Sequence, residues 1–211
     1  FNYSDSQILF HKSIDLVHIL DDQQGMKNQI SKPHYETKLN SEVKLGKTLV
    51  GESHSVYIIA EAGLNHNGSV EIGKKLIWAA KKSGCNAVKF QSFESKSRVS
   101  KRVKSVNYAE KADGLQENIY EMFKRLSLSY KDTKKLFDYA KKIKIEIFST
   151  PFDEKNVDLL EKLNVNFYKI ASVDLVNIPL LEKVAKTKKP VILSTGMSNL
   201  IEITARNIKI I

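Results

Sequence analysis

One cysteine, Cys85, stands in 211 residues, so no disulfide can close within the chain. Such sparing usage fits a reducing, cytoplasmic compartment. Its place just ahead of a strand-like run predicts that Cys85 is buried and inert. Long hydrophobic runs are missing as well. Nothing approaches the roughly 18 apolar residues of a membrane span, and no signal-peptide pattern opens the sequence. Histidine is scarce, with five in all, and no two stand at helical spacing, so no metal site can be composed from these residues. No serine has the glycine-flanked elbow that carries a nucleophile triad. The formal net charge is +10, yet the lysines are spread along helix-like stretches beside apolar stripes, and no interleaved aromatic motif offers to stack bases. That pattern is a solvated face, and it argues against a nucleic-acid partner. The densest basic stretch, Lys96–Lys104, falls in an expected loop, where it is either solvated or attracts an anionic substrate.

With 42% hydrophobic and 27% charged residues, the composition is that of a soluble globular protein. Residues 1–42 carry little periodic signal and look like an N-terminal extension or the tail of a preceding domain. Ile14–Leu20 could form a strand or a helix turn there, and His11 and His18 lack ligand partners. The main domain, 43–211, opens with a hairpin over Val43–Gly51, turned at Gly46-Lys47. Five β-then-α units follow. Their strands are expected at Tyr57–Glu61, Ala87–Gln91, Ile145–Ser149, Asn166–Ile170 and Pro190–Ser194. The first helix is expected from Ser69, its N-cap, to Ser83, with Ile72, Leu76, Ala79 and Ala80 as its apolar face. Ser92 to Gln116 reads as a long excursion, before helices at Glu117–Leu126 and Lys131–Ile143. Further helices are expected from Asp153, a cap, to Leu163, over Pro179–Lys186, and from Asn199. Strict β-α order predicts parallel strands with right-handed crossovers. Either a five-stranded doubly wound sheet or an eight-stranded (β/α) barrel cut after its fifth strand satisfies that rhythm.

In both architectures chemistry sits where the strands end. There the sequence places Glu61 with Asn65 and His66, Lys89 with Gln91, Ser149 with Thr150, Lys169 with Ser172 and Asp174, and Ser194 with Thr195. Lys89 and Lys169 occupy the same position of their apolar strands, where burying a cation is costly unless an anion compensates it. Two such lysines with hydroxyl residues near helix N-termini suit a phosphate or carboxylate. The alternative is that each lysine pairs with a local acid, Glu61 or Asp174.

Six strings in order, IIAEAGLNHNGS (Ile58–Ser69), VKFQSF (Val88–Phe93), FSTPFD (Phe148–Asp153), FYKIAS (Phe167–Ser172), NIPLLEKVA (Asn177–Ala185) and ILSTGM (Ile192–Met197), resemble the sialic acid synthases, which include N-acetylneuraminate, legionaminate and pseudaminate synthases. The resemblance implies a TIM-type (β/α) barrel, here truncated after about five units. It implies condensation of phosphoenolpyruvate with an N-acylated amino sugar, N-acetylmannosamine or a diacetamido-hexose, to a nine-carbon 2-keto sugar acid and phosphate. By motif, Lys89, Lys169, Ser172 and Ser194 would hold the phosphate and carboxylate, joined by Asn177. Glu61 would face the sugar as orienter or general base. Gln91, Thr150 and Phe152 would line the sugar side, and the excursion with Asn107, Tyr108 and Tyr120 would form part of its pocket or a lid. Lys89 and Asp174 join Glu61 as catalytic candidates. Val173 stands where the family has glycine, which stiffens that turn. A divalent metal, Mn or Mg, is expected with ligands beyond residue 211, and a homodimer is expected of the full-length form. The alternatives are a non-catalytic phosphate-binding α/β domain, or another phosphoenolpyruvate-condensing aldose synthase.

Overall fold

The structure, a computed structural model, describes residues 7–11, 15–16, 42–103, 118–199 and 203. In chain order the strands are β1 (Gln7–His11), β2 (Asp15–Leu16), β3 (Glu42–Leu45), β4 (Thr48–Gly51), β5 (Ile59–Gly63), β6 (Ala87–Ser92), β7 (Glu146–Pro151), β8 (Tyr168–Ile170) and β9 (Val191–Ser194). The helices are α1 (Val70–Lys82), α2 (Ser95–Arg98), α3 (Ile119–Leu126), α4 (Tyr130–Lys142), α5 (Glu154–Lys162) and α6 (Ile178–Ala185), with a 3-10 turn at Ser172–Asp174. The protein is a mixed α/β fold that divides into two units, one of residues 1–56 with 166–211 and the other of residues 57–165.

The 57–165 unit is built on the parallel sheet β5-β6-β7, with β6 in the middle. The central strand is apolar on both sides of its chemistry: Ala87, Val88 and Phe90 are buried, and β7 adds Ile147 and Phe148. Burial on both faces is the habit of parallel strands, whose crossover helices cover them. Helix α1 starts where expected, its amide at Ile72 capped by the Ser69 hydroxyl. Its buried face is Gly73, Ile77 and Ala80; of the expected Ile72, Leu76, Ala79 and Ala80, Ala80 is buried, Leu76 is half-buried, and Ile72 and Ala79 are exposed. The reason is Gly73. A Cβ at that position would lie 2.8 Å from Leu136 Cδ2, so the missing side chain lets α1 settle directly on α4. Helix α4 opens at Ser129, whose hydroxyl accepts from the Asp132 amide at 3.1 Å while bonding the Asp132 carboxylate at 2.8 Å. Both bonds run through the Ser129 hydroxyl and fix the first turn of the helix.

The other unit contains the parallel pair β8-β9, with Lys169 opposite Ile192 and Ile170 opposite Leu193. Strand β1 pairs antiparallel with the far edge of β9, and β2 pairs with β1. No strand was expected at Gln7–His11; Ile14–Leu20 was the stretch suspected of structure, and only Asp15–Leu16 of it is described. His18 lies outside the described residues. The hairpin β3-β4 turns at Gly46-Lys47, as expected, and buries Val43 and Leu45. The expected strand Asn166–Ile170 is shorter, starting at Tyr168, and the helix expected from Asn199 falls largely outside the described residues. Each return from helix to strand passes through one left-handed residue: Gly84 before β6, Lys144 before β7, Asn164 before β8 and Lys188 before β9. Cys85, next to the first of these, is half-buried rather than buried, because it lies in the return itself and not in the strand.

Candidate active site

In register, Glu61 lies opposite Lys89, and Lys89 opposite Phe148. Strand side chains alternate between faces, so Glu61, Lys89, Gln91, Phe148 and Thr150 share one face of the β5-β6-β7 sheet. On that face Lys89 Nζ makes an ion pair with Glu61 Oε2 and donates to Thr150 Oγ1 at 3.4 Å. The lysine side chain is 12% exposed, the glutamate 52%. The pairing with a local acid that was open for Lys89 is present in this structure. The pair holds the ammonium across β5, β6 and β7 and leaves a carboxylate edge open to solvent.

The backbone shapes this carboxylate. The β5-β6 ladder shifts register between Glu61 and Gly63, a bulge that re-aims side chains at a strand end. Gly63 has φ +51, and a Cβ there would sit 3.1 Å from Glu61 Oε1 and 3.6 Å from Gln91 Nε2. Glycine thus leaves the room that Glu61 and Gln91 occupy.

The opposite face carries Phe90, Ser92 and Ser149. Ser92 Oγ and Ser149 Oγ lie 2.8 Å apart and buried, so Ser149, expected beside Thr150, faces away from Lys89. His66 also belongs on that side. It is fully buried with its ring 5.9 Å from that of Phe90. Its Nδ1 accepts from the Gly68 amide at 3.0 Å, and burial pushes its pKa below the usual histidine value. His66 braces the Asn65–Gly68 turn; the alternation of β6 sets it apart from the carboxylate, which the order of residues along the chain did not reveal.

Beyond the strand ends, Asp153 Oδ1 caps α5, accepting from the Asn156 amide at 2.9 Å. Its other oxygen accepts from Ser97 Oγ at 2.9 Å and from the Glu94 amide at 3.4 Å. Phe152 is buried in a cluster with Phe93, and the Arg98 guanidinium lies 3.6 Å from the Phe152 ring centroid. Arg98 escaped sequence reasoning because the stretch around it reads as a uniformly basic loop, whereas Ser95–Arg98 forms a helical turn. Tyr120 lies on α3, with the Lys101 ammonium 5.4 Å from its ring. Asn107 and Tyr108 lie outside the described residues.

In the other unit, Lys169 is 8% exposed; its Nζ donates to Ser194 Oγ and to the Ile170 carbonyl at 3.1 Å. Adjacent parallel strands thus bring together two of the residues expected to bind an anion. Ser172 opens the 3-10 turn, half-buried, and Val173 points outward at 49% exposed with an ordinary backbone angle, so the turn has no need of the family's glycine. Asp174 is buried and its Oδ1 accepts from the Asn177 side-chain amide at 3.2 Å, while Asn177 Oδ1 caps α6 at the Leu180 amide. That linkage orients the start of α6. Among the described residues no group of three histidine, cysteine or carboxylate side chains could hold a metal ion. The described residues alone do not fit one.

The model of the NeuB family matches residues 76–210. An uncharacterized protein of Methanocaldococcus jannaschii is 50% identical over 161 residues, covering 76% of this chain and 44% of its own length. The N,N'-diacetyllegionaminic acid synthase of Campylobacter jejuni is 47% identical over 146 residues, 69% of this chain and 44% of its own length. The chain therefore spans less than half the length of these curated relatives. A crystal structure of the N-acetylneuraminic acid synthetase of Leptospira borgpetersenii, in complex with citrate, superposes with a TM-score of 0.67 at 34% identity, covering 80% of this chain and 54% of that one. The family model takes in most of the chain, and the strand ends it spans carry the lysines and hydroxyls described above: the chain belongs to the NeuB family of sialic acid synthases.

Proposed function

We propose that the full-length protein condenses phosphoenolpyruvate with an N-acylated amino sugar, giving a nine-carbon 2-keto sugar acid and inorganic phosphate, on a (β/α) barrel of which these residues supply the first five units. The observation that carries this reading is the row Glu61–Lys89–Thr150, with Gln91, on one face of a parallel sheet. An acid, a cation and neutral hydrogen-bonding groups side by side suit the meeting of a polyhydroxylated aldehyde with a nucleophilic enol. In the reaction C3 of the enol bonds to the aldehyde carbon, water adds at C2, and the bond from C2 to the phosphate oxygen breaks. Lys169, Ser172 and Ser194 hold the anionic end of phosphoenolpyruvate, since a buried ammonium with hydroxyl donors suits phosphate or carboxylate oxygens. Glu61 orients water or accepts its proton. Lys89 keeps Glu61 in place and offers charge to the developing alkoxide.

A divalent metal, Mn or Mg, would polarise the aldehyde; its ligands belong to segments outside the described residues. The family resemblance supports a homodimer of the full-length form and a cytoplasmic location. The 47% identical relative that is named a diacetyllegionaminic acid synthase favours a diacetamido-hexose over N-acetylmannosamine. The test is phosphate release from phosphoenolpyruvate by the full-length protein, offered a panel of acylated hexosamines with Mn. Release that depends on one such sugar supports the reading. Release with none of them sinks it in favour of a phosphate-binding domain without catalysis, and release only with phosphorylated aldoses moves it to another condensing synthase.

A further inference from the structure

Asn67-Gly68 is the one Asn-Gly step in the sequence, and it stands in the turn between β5 and α1. Asn67 has φ +50 and Gly68 φ +74, and the Ser69 amide closes the turn on the His66 carbonyl at 2.8 Å. Two left-handed central residues inside that bond make a type I′ turn, the geometry Asn-Gly pairs favour. The same dipeptide readily loses its side-chain amide, because glycine has no side chain to shield its nitrogen. In that reaction the Gly68 nitrogen bonds to Asn67 Cγ, the Cγ–Nδ2 bond breaks, and ammonia leaves with the amide proton. Water then opens the succinimide ring at either carbonyl, giving aspartate or isoaspartate.

Asn67 is exposed, so water reaches its side chain. The turn nevertheless sets the reacting atoms apart. With ψ of Asn67 at about +30°, the value of this turn type, the Gly68 nitrogen lies on the side of the Cα–C bond away from Cβ. Ring closure requires that bond to rotate, and three contacts oppose the rotation. Gly68 donates its N–H to His66 Nδ1 at 3.0 Å. It also lies hard against the end of α3, where a Cβ would sit 2.5 Å from the Arg125 carbonyl oxygen. The third is the closing bond of Ser69, whose hydroxyl caps α1. His66 itself is fully buried beside Phe90. Since Nδ1 accepts, the ring proton is on Nε2, which is buried without a partner. The bond to Gly68 is therefore the ring's one hydrogen bond among the described residues.

We propose that Asn67 is a modification site of this protein, converted to aspartate and isoaspartate, and that the Gly68–His66 hydrogen bond is the latch that governs its rate. Isoaspartate carries the backbone through Cβ and Cγ, one methylene longer, and adds a carboxylate. A type I′ turn has no place for that insertion, so the product loses the closure at His66 and the cap on α1. Local openings that would otherwise reverse become permanent.

The test is peptide mapping of the full-length protein held at mildly alkaline pH, with isoaspartyl labelling, against a synthetic peptide of residues 64–70. In the wild type, Asn67 is expected to convert about tenfold or more slowly than in the peptide, since it must await a local opening. His66→Leu keeps an apolar side chain but accepts nothing, and should convert about threefold to tenfold faster than the wild type, the worth of one hydrogen bond. His66→Asn leaves a larger gap in the core yet offers an acceptor two residues before the amide, as in an Asx turn. It should stay within about twofold of the wild type. Loosened packing alone would reverse that order. Amide exchange at Gly68 should rank the three proteins as conversion does. Conversion of the wild type at the peptide's rate, or of His66→Leu no faster than His66→Asn, overturns the proposal. If His66→Leu does not fold, the wild type in urea below its unfolding transition decides. Conversion that rises in step with Gly68 exchange supports the latch, and conversion indifferent to that exchange overturns it.

Discussion

At the scale of single residues, Glu61 and His66 sit five positions apart and do unrelated work. Glu61 is half-exposed beside Lys89, so Glu61→Gln should fold normally and lower the kcat of phosphate release by about 10²–10⁴, the range of a lost acid–base group. A loss under about tenfold would reduce Glu61 to a binding group. His66 is buried, with its folded pKa held below the unfolded value near 6.5. Its contribution to stability is therefore complete above that unfolded value and is lost as pH falls toward the lower folded one, because the unfolded chain then binds the proton more readily. Urea midpoints of the wild type should drop between pH 7 and pH 5.5, and His66→Asn, which can still accept from the Gly68 amide, should flatten that drop. An equal slope in both would remove His66 as the cause. The sequence made Glu61 legible because an acid ending an apolar run is conspicuous. It left His66 ambiguous, since only the pleat of β6 says which face a neighbouring turn packs against.

Between elements, the α1–α4 contact turns on one missing methyl. Gly73→Ala gains about 1 kcal/mol of helix propensity, yet the new Cβ meets Leu136 Cδ2 at 2.8 Å, and Leu136, only 1% exposed, has to shift within a packed core. The net result should be a loss of about 1–3 kcal/mol, as overpacking costs, measured by denaturant unfolding. Gly73→Ala with Leu136→Val should recover part of it through a favourable coupling term. If Gly73→Ala is stabilising alone, the helices are not in close contact there. This element also marks the limit of what the sequence allowed. The caps at Ser69 and Asp153 and the hairpin were readable because each depends on residues within a few positions. Of the expected face of α1 only Ala80 is fully buried, since a glycine carries no hydrophobic signal while it decides which side can approach. The α2 turn was missed for the same kind of reason: its hold comes from Asp153 and Phe152, more than 50 positions away, and not from its own basic residues.

For the whole molecule, the two units each carry one kind of chemistry, a carboxylate-bearing row in one and a buried lysine with a serine in the other. Lys169→Gln and Ser194→Ala should each raise the KM for phosphoenolpyruvate and leave that for the sugar within about twofold, the signature of lost uniform binding to one substrate; an effect on the sugar instead would reassign them. The left-handed returns that precede β6, β7, β8 and β9 have a practical meaning. Only the first uses glycine; Lys144, Asn164 and Lys188 hold φ between 55 and 57 with a side chain attached. Such a conformation costs a non-glycine residue about 1–2 kcal/mol, partly offset by the extra freedom glycine loses on folding. Lys144→Gly and Lys188→Gly should thus each add about 0.5–1 kcal/mol and raise the melting temperature additively. These returns enter β6, β7 and β9 at the end opposite Gln91, Thr150 and Ser194, where the proposed chemistry sits. Heat tolerance and turnover can therefore be engineered on separate ends of the same strands.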